Sequence, residues 1–127
     1  MSLSTTTFRV RYSECDPMGV AHHATYPIWF EIGRTELLRD QGGFYGDIEK
    51  SGIFFVVVEL LVKYKSSAKY DDALTLTTNI DSCTPARLCH SYELKREENI
   101  IATATTTLAC VNNEGVVQRF PTSLLQC

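Results

Sequence analysis

The sequence predicts an α+β fold in which one long helix is followed by an antiparallel sheet. Large apolar residues recur with helical period only between positions 26 and 39, and strand-like alternation dominates after position 54. One short strand-like segment precedes the helix. Strands that follow a helix in this order are typical of α+β proteins. The 127 residues are expected to form a single domain, residues 1–127, with its own core.

The first strand is predicted at residues 5–12, where alternation places Phe8, Val10 and Tyr12 on one face. The helix is predicted to end at residues 41–43, where two glycines can adopt the left-handed conformation that terminates a helix. Pro27 has no backbone N–H and therefore fits the first helical turn, which makes Thr25 the predicted N-cap.

One face of the helix is predicted to be buried, because its large side chains follow steps of three and four residues around a glycine. The stripe consists of Tyr26, Trp29, Phe30, Gly33 and Leu37. The glycine predicts that another element packs closely over it. The apolar first half of the helix predicts that the sheet wraps around it.

The remaining chain is predicted to form the sheet after a short helical or looped connection at residues 44–52. Strands are predicted at residues 54–65, 74–80, 88–95, 100–111 and 116–120, separated by turn residues. Alternation predicts that Leu74, Leu76, Thr78 and Ile80 face inward. In the strand at 54–65, one face carries Val58, Leu60, Val62 and Tyr64, and the other carries Glu59, Leu61, Lys63 and Lys65.

Composition excludes several classes of protein. The formal net charge of -3 gives no basic footprint for nucleic acid. No apolar run approaches the roughly 18 residues of a membrane span. The first ten residues lack the regions of a signal peptide, so a soluble, cytoplasmic protein is expected. Five cysteines without Cys-x-x-Cys spacing favour free thiols over a disulfide framework or a zinc site.

The loop before the helix has the clearest chemical potential. Asp16 and Pro17 begin a turn, and Gly19 can supply the positive φ that reverses the chain. A carboxylate here would lie beside free N–H donors of the helix N-terminus, a combination suited to attacking and polarising a carbonyl. Taken alone, Asp16 is better explained as a turn former whose side chain accepts backbone hydrogen bonds.

This loop and helix resemble the 4-hydroxybenzoyl-CoA thioesterase branch of the hotdog-fold superfamily. The signature is Asp-Pro-x-Gly, a histidine seven residues after the Asp, and Tyr-x4-Glu-x2-Arg. The matching residues are Asp16, Pro17, Gly19, His23, Tyr26, Glu31 and Arg34. The resemblance continues at positions 63–76, 102–111 and 119–121. Together these pieces are specific for the family, whereas each alone would be weak.

The resemblance implies a hotdog fold, in which an antiparallel sheet of five to six strands wraps around the long central helix. It implies an acyl-CoA thioesterase with Asp16 as nucleophile or general base. His23 is implied to assist catalysis through its backbone N–H, which would polarise the thioester carbonyl. Gly19 and Tyr26 are implied to contact substrate. No metal or redox cofactor is implied.

The resemblance also implies a homo-oligomer with the active site between subunits. The minimum unit is expected to be a dimer, and two dimers are expected to pair into a tetramer. Leu61 and Leu108, predicted on the outer face of the sheet, are consistent with burial in such an assembly.

Several residues keep two interpretations. Glu31 is the alternative catalytic carboxylate, because a related hotdog branch places that group on the helix. Glu31 and Arg34 are also explained as an ordinary ion pair, the role favoured for Arg34. Glu14 is expected to support the loop. His22 and His23 are adjacent and lack a third ligand, so metal binding is not expected.

Other residues are assigned structural roles. Cys15 lacks the histidine and acid partners of a catalytic thiol. His90, on an alternating strand, is interpreted as a packed or surface residue. The basic residues are interpreted as a solvated face from which a subset could bind the phosphates of coenzyme A: Lys63, Lys65, Lys69, Arg87 and Arg96.

Two further functions stay open at this point. One is hydrolysis of an aromatic acyl-CoA, such as 1,4-dihydroxy-2-naphthoyl-CoA. The other is a non-catalytic module that binds acyl-CoA or acyl-carrier protein, because a fold does not fix a function. Release of free thiol distinguishes an enzyme from such a module.

Overall fold

The computed structural model describes residues 3–121. Strand β1 (Leu3–Arg9) leads through two short 3-10 turns to helix α1 (Tyr26–Asp40), and a second helix, α2 (Tyr45–Lys50), follows. The remaining strands are β2 (Ile53–Tyr64), β3 (Ala73–Cys83), β4 (Leu88–Arg96), β5 (Asn99–Asn112) and β6 (Val117–Gln118). Within this range, no helix is long and apolar enough to cross a membrane.

The strands form one antiparallel sheet in the order β1-β3-β4-β5-β2, and β6 pairs with the end of β5. Helix α1 lies across one face of this sheet, mainly against β1 and β3. The main core cluster therefore lies between α1 and the sheet. The predicted α+β architecture, with one long helix and an antiparallel sheet, is confirmed.

The predicted buried stripe of α1 is confirmed, since all five of its residues are buried. At Gly33 an added Cβ would overlap the Thr78 hydroxyl and would lie 2.7 Å from a Leu76 methyl carbon. Protein interiors are packed too tightly to absorb such an atom without displacement. The glycine therefore allows the helix to approach β3 closely.

Two predicted orientations are wrong. Tyr12 does not continue β1; it begins a 3-10 turn and is 80% exposed. The Glu14 carboxylate accepts the Arg11 N–H at 2.7 Å and thereby stabilises this turn instead of a strand. Leu108 is buried, not on the outer face, because the period of two in β5 places it on the same side as Ala104 and Thr106.

The cysteines are also not all free thiols. Cys15, Cys89 and Cys110 are free, as predicted, but Cys83 is in a disulfide bond. The prediction of five free thiols is therefore wrong, because disulfide formation depends on spatial distance and not on sequence spacing. Cys127 lies outside the described residues.

Candidate active site

The loop that carries Asp16 is a tight turn closed by backbone hydrogen bonds. The Asp16 N–H donates to the Val20 carbonyl at 2.8 Å, and the Gly19 N–H donates to the Asp16 carbonyl at 2.9 Å. Gly19 has a φ of 80°, in the left-handed region that glycine adopts without strain. Val20 also forms a backbone bridge with Lys69, which fastens the loop to the segment before β3.

The Asp16 carboxylate has one engaged oxygen and one open oxygen. Oδ1 accepts hydrogen bonds from the backbone of Met18 at 2.9 Å and of Val20 at 3.4 Å. The turn-forming interpretation is therefore correct for this oxygen. Oδ2 accepts no hydrogen bond from any residue between 3 and 121. The turn thus fixes the side chain and leaves half of the carboxylate available to react.

Asp16 lines a cleft of about 380 Å³, called the Asp16 cleft below. The other lining residues are Ala21, His23, Tyr26, Tyr64, Lys65, Ser66 and Ser67. Three of the predicted site residues, Asp16, His23 and Tyr26, are therefore brought together. Gly19 shapes the turn and does not line the cleft, and Glu31 lies elsewhere.

His23 begins a 3-10 turn, His23–Thr25, that runs directly into α1. Thr25 precedes the helix, as predicted, but its hydroxyl donates to the Glu14 carbonyl at 3.2 Å and does not cap the helix. The side chain of His22 accepts the Ala24 N–H at 3.0 Å and caps the 3-10 turn instead.

The backbone N–H of His23 is available for a ligand. It donates to no acceptor in the described part of the chain, whereas its carbonyl accepts the Tyr64 hydroxyl at 2.8 Å. The first N–H groups of a helical segment lack partners within the segment and carry partial positive charge. The His23 N–H is therefore suited to stabilising negative charge on a carbonyl oxygen in the cleft.

Glu14 joins the loop to the helix. Its buried carboxylate accepts hydrogen bonds from the Trp29 indole at 3.0 Å and from the Arg11 guanidinium at 3.2 Å, besides the Arg11 N–H. Burial alone would raise the pKa of Glu14, but these hydrogen bonds outweigh it and hold the pKa below its usual value. Glu14 is therefore ionised at neutral pH and supports the loop.

Tyrosines form one wall of the cleft. The ring of Tyr26 is buried and meets Trp29 and Tyr64 edge-on, each at 4.9 Å between centroids. Tyr64, which ends β2, was not among the predicted site residues. Its only sequence signal was a large aromatic side chain at the end of a strand, directly before the Lys-Ser-Ser segment that also lines the cleft.

The predicted ion pair between Glu31 and Arg34 is wrong. The two side chains form no ion pair in the described structure; Arg34 instead reaches across to β4, where its Nη1 lies 3.5 Å from the Tyr92 hydroxyl. Glu31 and Arg34 line a second pocket of about 240 Å³, away from the Asp16 cleft. Within one chain, Glu31 is therefore separated from the cleft that Asp16 lines.

The other predicted residues have different positions. Arg96 pairs with Asp72 at 2.8 Å, while Lys65 lines the Asp16 cleft. The thiol of Cys15 donates weakly to the Arg11 carbonyl and does not line the cleft. Among residues 3–121, no group of three histidine, cysteine or acidic side chains could hold a metal ion.

His90 is a packed residue with a consequence for stability. Burial, with a smaller contribution from the charge of Arg34, lowers the pKa of His90 to about 4. Because the unfolded chain gains this proton near pH 6.5 and the folded protein does not, acidification should destabilise the fold. Between pH 7 and pH 5 the expected loss is about 2 kcal/mol. The effect sets in as the pH falls through the ordinary histidine value of 6.5 and is complete below pH 4.

Urea unfolding at pH 7 and pH 5 measures this loss, and His90→Gln should largely abolish it. Glu14 does not add to the loss between pH 7 and pH 5. A carboxylate with a lowered pKa loses its contribution to stability only as the pH falls below its ordinary value of 4.5. Equal pH dependence in the wild type and in His90→Gln would contradict the assignment.

Comparisons with known proteins identify the family of this chain. The family described as the thioesterase-like superfamily matches residues 10–126. Acyl-CoA thioesterase YbgC from Haemophilus influenzae is 34% identical over 105 residues, which cover 82% of this chain and 77% of that protein. Acyl-CoA thioester hydrolase YbgC from Escherichia coli O157:H7 is 31% identical over 115 residues, 87% of this chain and 86% of that protein.

A solved structure shows the same fold. The crystal structure of a DHNA-CoA thioesterase from Staphylococcus aureus superposes with a TM-score of 0.90 at 32% identity, covering 94% of this chain and 81% of that chain. The sheet, the central helix and the loop before it thus define a hotdog-fold protein of the thioesterase class, and the predicted hotdog fold is confirmed. The chain belongs to the thioesterase-like superfamily.

Proposed function

We propose that this protein is an acyl-CoA thioesterase that hydrolyses an acyl-CoA thioester to a carboxylic acid and free CoA. The observation that carries the proposal is that Asp16 and His23 line the same cleft. One oxygen of the Asp16 carboxylate and the backbone N–H of His23 have no hydrogen-bond partner among the described residues. Thioester hydrolysis needs these two functions, a nucleophile or base and a donor for the developing oxyanion. The names of the relatives from Haemophilus and Escherichia support this activity.

Two mechanisms fit this geometry. Oδ2 of Asp16 either attacks the thioester carbonyl carbon, which expels CoA thiolate and leaves a mixed anhydride that water hydrolyses, or it takes a proton from an attacking water. In both cases negative charge develops on the carbonyl oxygen, where the His23 N–H can donate. Tyr26 forms the wall of the substrate site, and Gly19 lets the turn present the carboxylate. The reaction needs no cofactor.

We further propose that the protein is a cytoplasmic enzyme formed by a single domain, residues 1–127. Hydrolysis of an aromatic acyl-CoA such as 1,4-dihydroxy-2-naphthoyl-CoA is the second candidate, favoured by the likeness to the Staphylococcus DHNA-CoA thioesterase. A module that binds acyl-CoA or acyl-carrier protein without catalysis is the alternative from another class. The open oxygen of Asp16 favours an enzyme over this alternative.

A side-by-side panel of aliphatic and aromatic acyl-CoA thioesters, assayed for release of free thiol, tests the proposed function. We expect turnover of at least one member, and the ranking of kcat/KM identifies the acyl class. Tight binding of several thioesters without thiol release from any of them would establish the binding module instead.

We also propose that two copies pair through β2. This strand forms one edge of the sheet, so one side of its backbone has no neighbouring strand within the described residues. Six of its large apolar side chains are exposed: Val56, Val57, Val58, Leu60, Leu61 and Tyr64. Ile28 and Ile32 are exposed on α1 as well. A second copy of the chain, paired antiparallel along β2, would cover this edge.

Light scattering at micromolar concentration measures the assembly. A mass at least twice the 14.3 kDa of the chain is expected, with a tetramer formed from two such dimers. A monodisperse monomer that retains full activity would contradict both the assembly and a site shared between subunits.

A further inference from the structure

The second pocket, called the Arg34 pocket here, lies between α1, α2 and the sheet. It has a volume of about 240 Å³ and is lined by Glu31, Arg34, Thr35, Tyr45, Glu49, Phe55 and Leu108. A much smaller cavity of about 10 Å³ continues from it toward His90 and shares Arg34, Tyr45 and Phe55. The Arg34 pocket therefore combines aromatic side chains with a partly buried cation.

The guanidinium of Arg34 is poorly satisfied. It is partly buried, and its only hydrogen bond among the described residues is the 3.5 Å approach to the Tyr92 hydroxyl. That hydroxyl is already engaged with Thr106 at 2.6 Å. No carboxylate lies within ion-pair distance of Arg34 in residues 3–121. A guanidinium has five N–H donors, and a partly buried cation without an anion is costly.

Two neighbouring groups point to the same kind of ligand. His90 is only 3% exposed, and its Nδ1 has no hydrogen-bond partner in the described structure. Tyr45 lines the pocket as a phenol, and burial raises the pKa of its hydroxyl from 10 to about 12, so it stays protonated as a donor. Arg34 and Tyr45 are donors, and neutral His90 can donate from one ring nitrogen. His90 lines the small adjoining cavity, whereas Arg34 and Tyr45 line the Arg34 pocket itself. The Arg34 pocket is thus suited to a hydrogen-bond acceptor that carries negative charge.

Antiparallel pairing through β2 would bring this pocket to the Asp16 cleft of the other subunit. Phe55 lines the Arg34 pocket and Tyr64 lines the Asp16 cleft, so within one chain the two sites lie at opposite ends of β2. Phe55 and Tyr64 are nine positions apart, which corresponds to about 30 Å along a strand. A two-fold axis near Glu59 and Leu60 would place Phe55 of one strand opposite Tyr64 of the partner subunit.

We propose that the Arg34 pocket receives the far end of the acyl group bound in the partner's Asp16 cleft, where Arg34 pairs with a carboxylate. The preferred substrates are then CoA monothioesters of dicarboxylic acids. This inference rests on the proposed function. Apolar side chains of Phe55 and Leu108 contact the methylene chain, and the planar guanidinium binds both carboxylate oxygens.

Glu31 and Glu49 line the same pocket, but they do not exclude this ligand. Both are exposed, whereas Arg34 is partly buried. Solvent screens the repulsion from exposed carboxylates more strongly than the attraction of the partly buried guanidinium. The two glutamates lie toward solvent. They disfavour acyl groups that carry additional negative charges near the solvent-exposed side of the Arg34 pocket.

Matched pairs of thioesters test the assigned specificity: adipoyl-CoA against hexanoyl-CoA, and suberoyl-CoA against octanoyl-CoA. The wild type should favour the acid-terminated member of at least one pair, and Arg34→Gln should lower that ratio of kcat/KM values by about 10- to 100-fold. Arg39→Gln, on the same helix but exposed and paired with Glu36, should leave the ratio unchanged. If Arg34→Gln fails to fold, Arg34→Lys should still lower the ratio, because an ammonium cannot bind both oxygens.

Mixed dimers test the contribution of the partner. A dimer of one Asp16→Asn chain and one Arg34→Gln chain contains one site with both native groups only if Asp16 and Arg34 come from different chains. Such a dimer should regain the wild-type ratio. A ratio that stays at the Arg34→Gln value overturns the shared pocket. Equal kcat/KM values for both members of each pair in the wild type overturn the specificity while leaving the proposed hydrolysis in place.

Discussion

Replacing Asp16 by Asn is expected to lower kcat by about 10²- to 10⁴-fold, the range associated with loss of a positioned acid-base group. Asparagine keeps the size of the side chain, and its carbonyl oxygen can still accept the hydrogen bonds from Met18 and Val20 that shape the turn. It removes the negative charge that attacks the carbonyl or activates water. The loss should therefore fall on kcat, with little change in KM.

Asp47→Asn is the matched control, because Asp47 is an exposed aspartate on α2 that lines neither pocket. Its kcat should equal that of the wild type. Glu31→Gln tests the competing carboxylate on the helix. Near-normal kcat in Asp16→Asn together with an inactive, folded Glu31→Gln protein would transfer the catalytic role to Glu31.

Replacing Glu14 by Ala should produce the largest loss of stability among the changes considered. The substitution leaves the buried Trp29 indole N–H without its acceptor and also removes the contacts to Arg11. We expect the free energy of unfolding to fall by about 2 to 4 kcal/mol, because an orphaned buried donor and a lost charged hydrogen bond both contribute. Activity should fall as well, since Asp16 lies two residues farther along the same loop.

Glu36→Ala provides the comparison for urea unfolding. Glu36 forms an ion pair with Arg39 on the surface of α1, and its loss should change stability by less than about 1 kcal/mol. If the two alanine variants unfold at the same urea concentration, the hydrogen bonds of Glu14 do not hold the loop to the helix.

The features that were predicted correctly from sequence depend on local periodicity. The stripe from Tyr26 to Leu37 repeats every three or four residues, so its buried face and the close approach at Gly33 follow from helix geometry. The turn around Asp16 was predictable because proline fixes the backbone φ angle at its position and glycine permits a positive φ at its own. These are properties of a few neighbouring residues.

The features that were missed depend on contacts between distant segments. Tyr64 reaches the Asp16 cleft only because the end of β2 lies beside the 3-10 turn, where its hydroxyl donates to His23. Arg34 turns to Tyr92, 58 residues away in sequence, instead of to Glu31 on its own helix. The disulfide of Cys83 likewise depends on three-dimensional distance. Single-sequence periodicity contains no information on such pairings.

Hydrolysis of a bound thioester in the Asp16 cleft is the step on which the proposed function depends. Single-turnover kinetics with enzyme in excess over an acyl-CoA substrate from the panel test this claim most directly, because they separate binding from chemistry. The wild type should convert all bound thioester to free thiol and acid, and Asp16→Asn should bind the same substrate but convert it at least about 10²-fold more slowly. Equal single-turnover rate constants for the two proteins would contradict the claim.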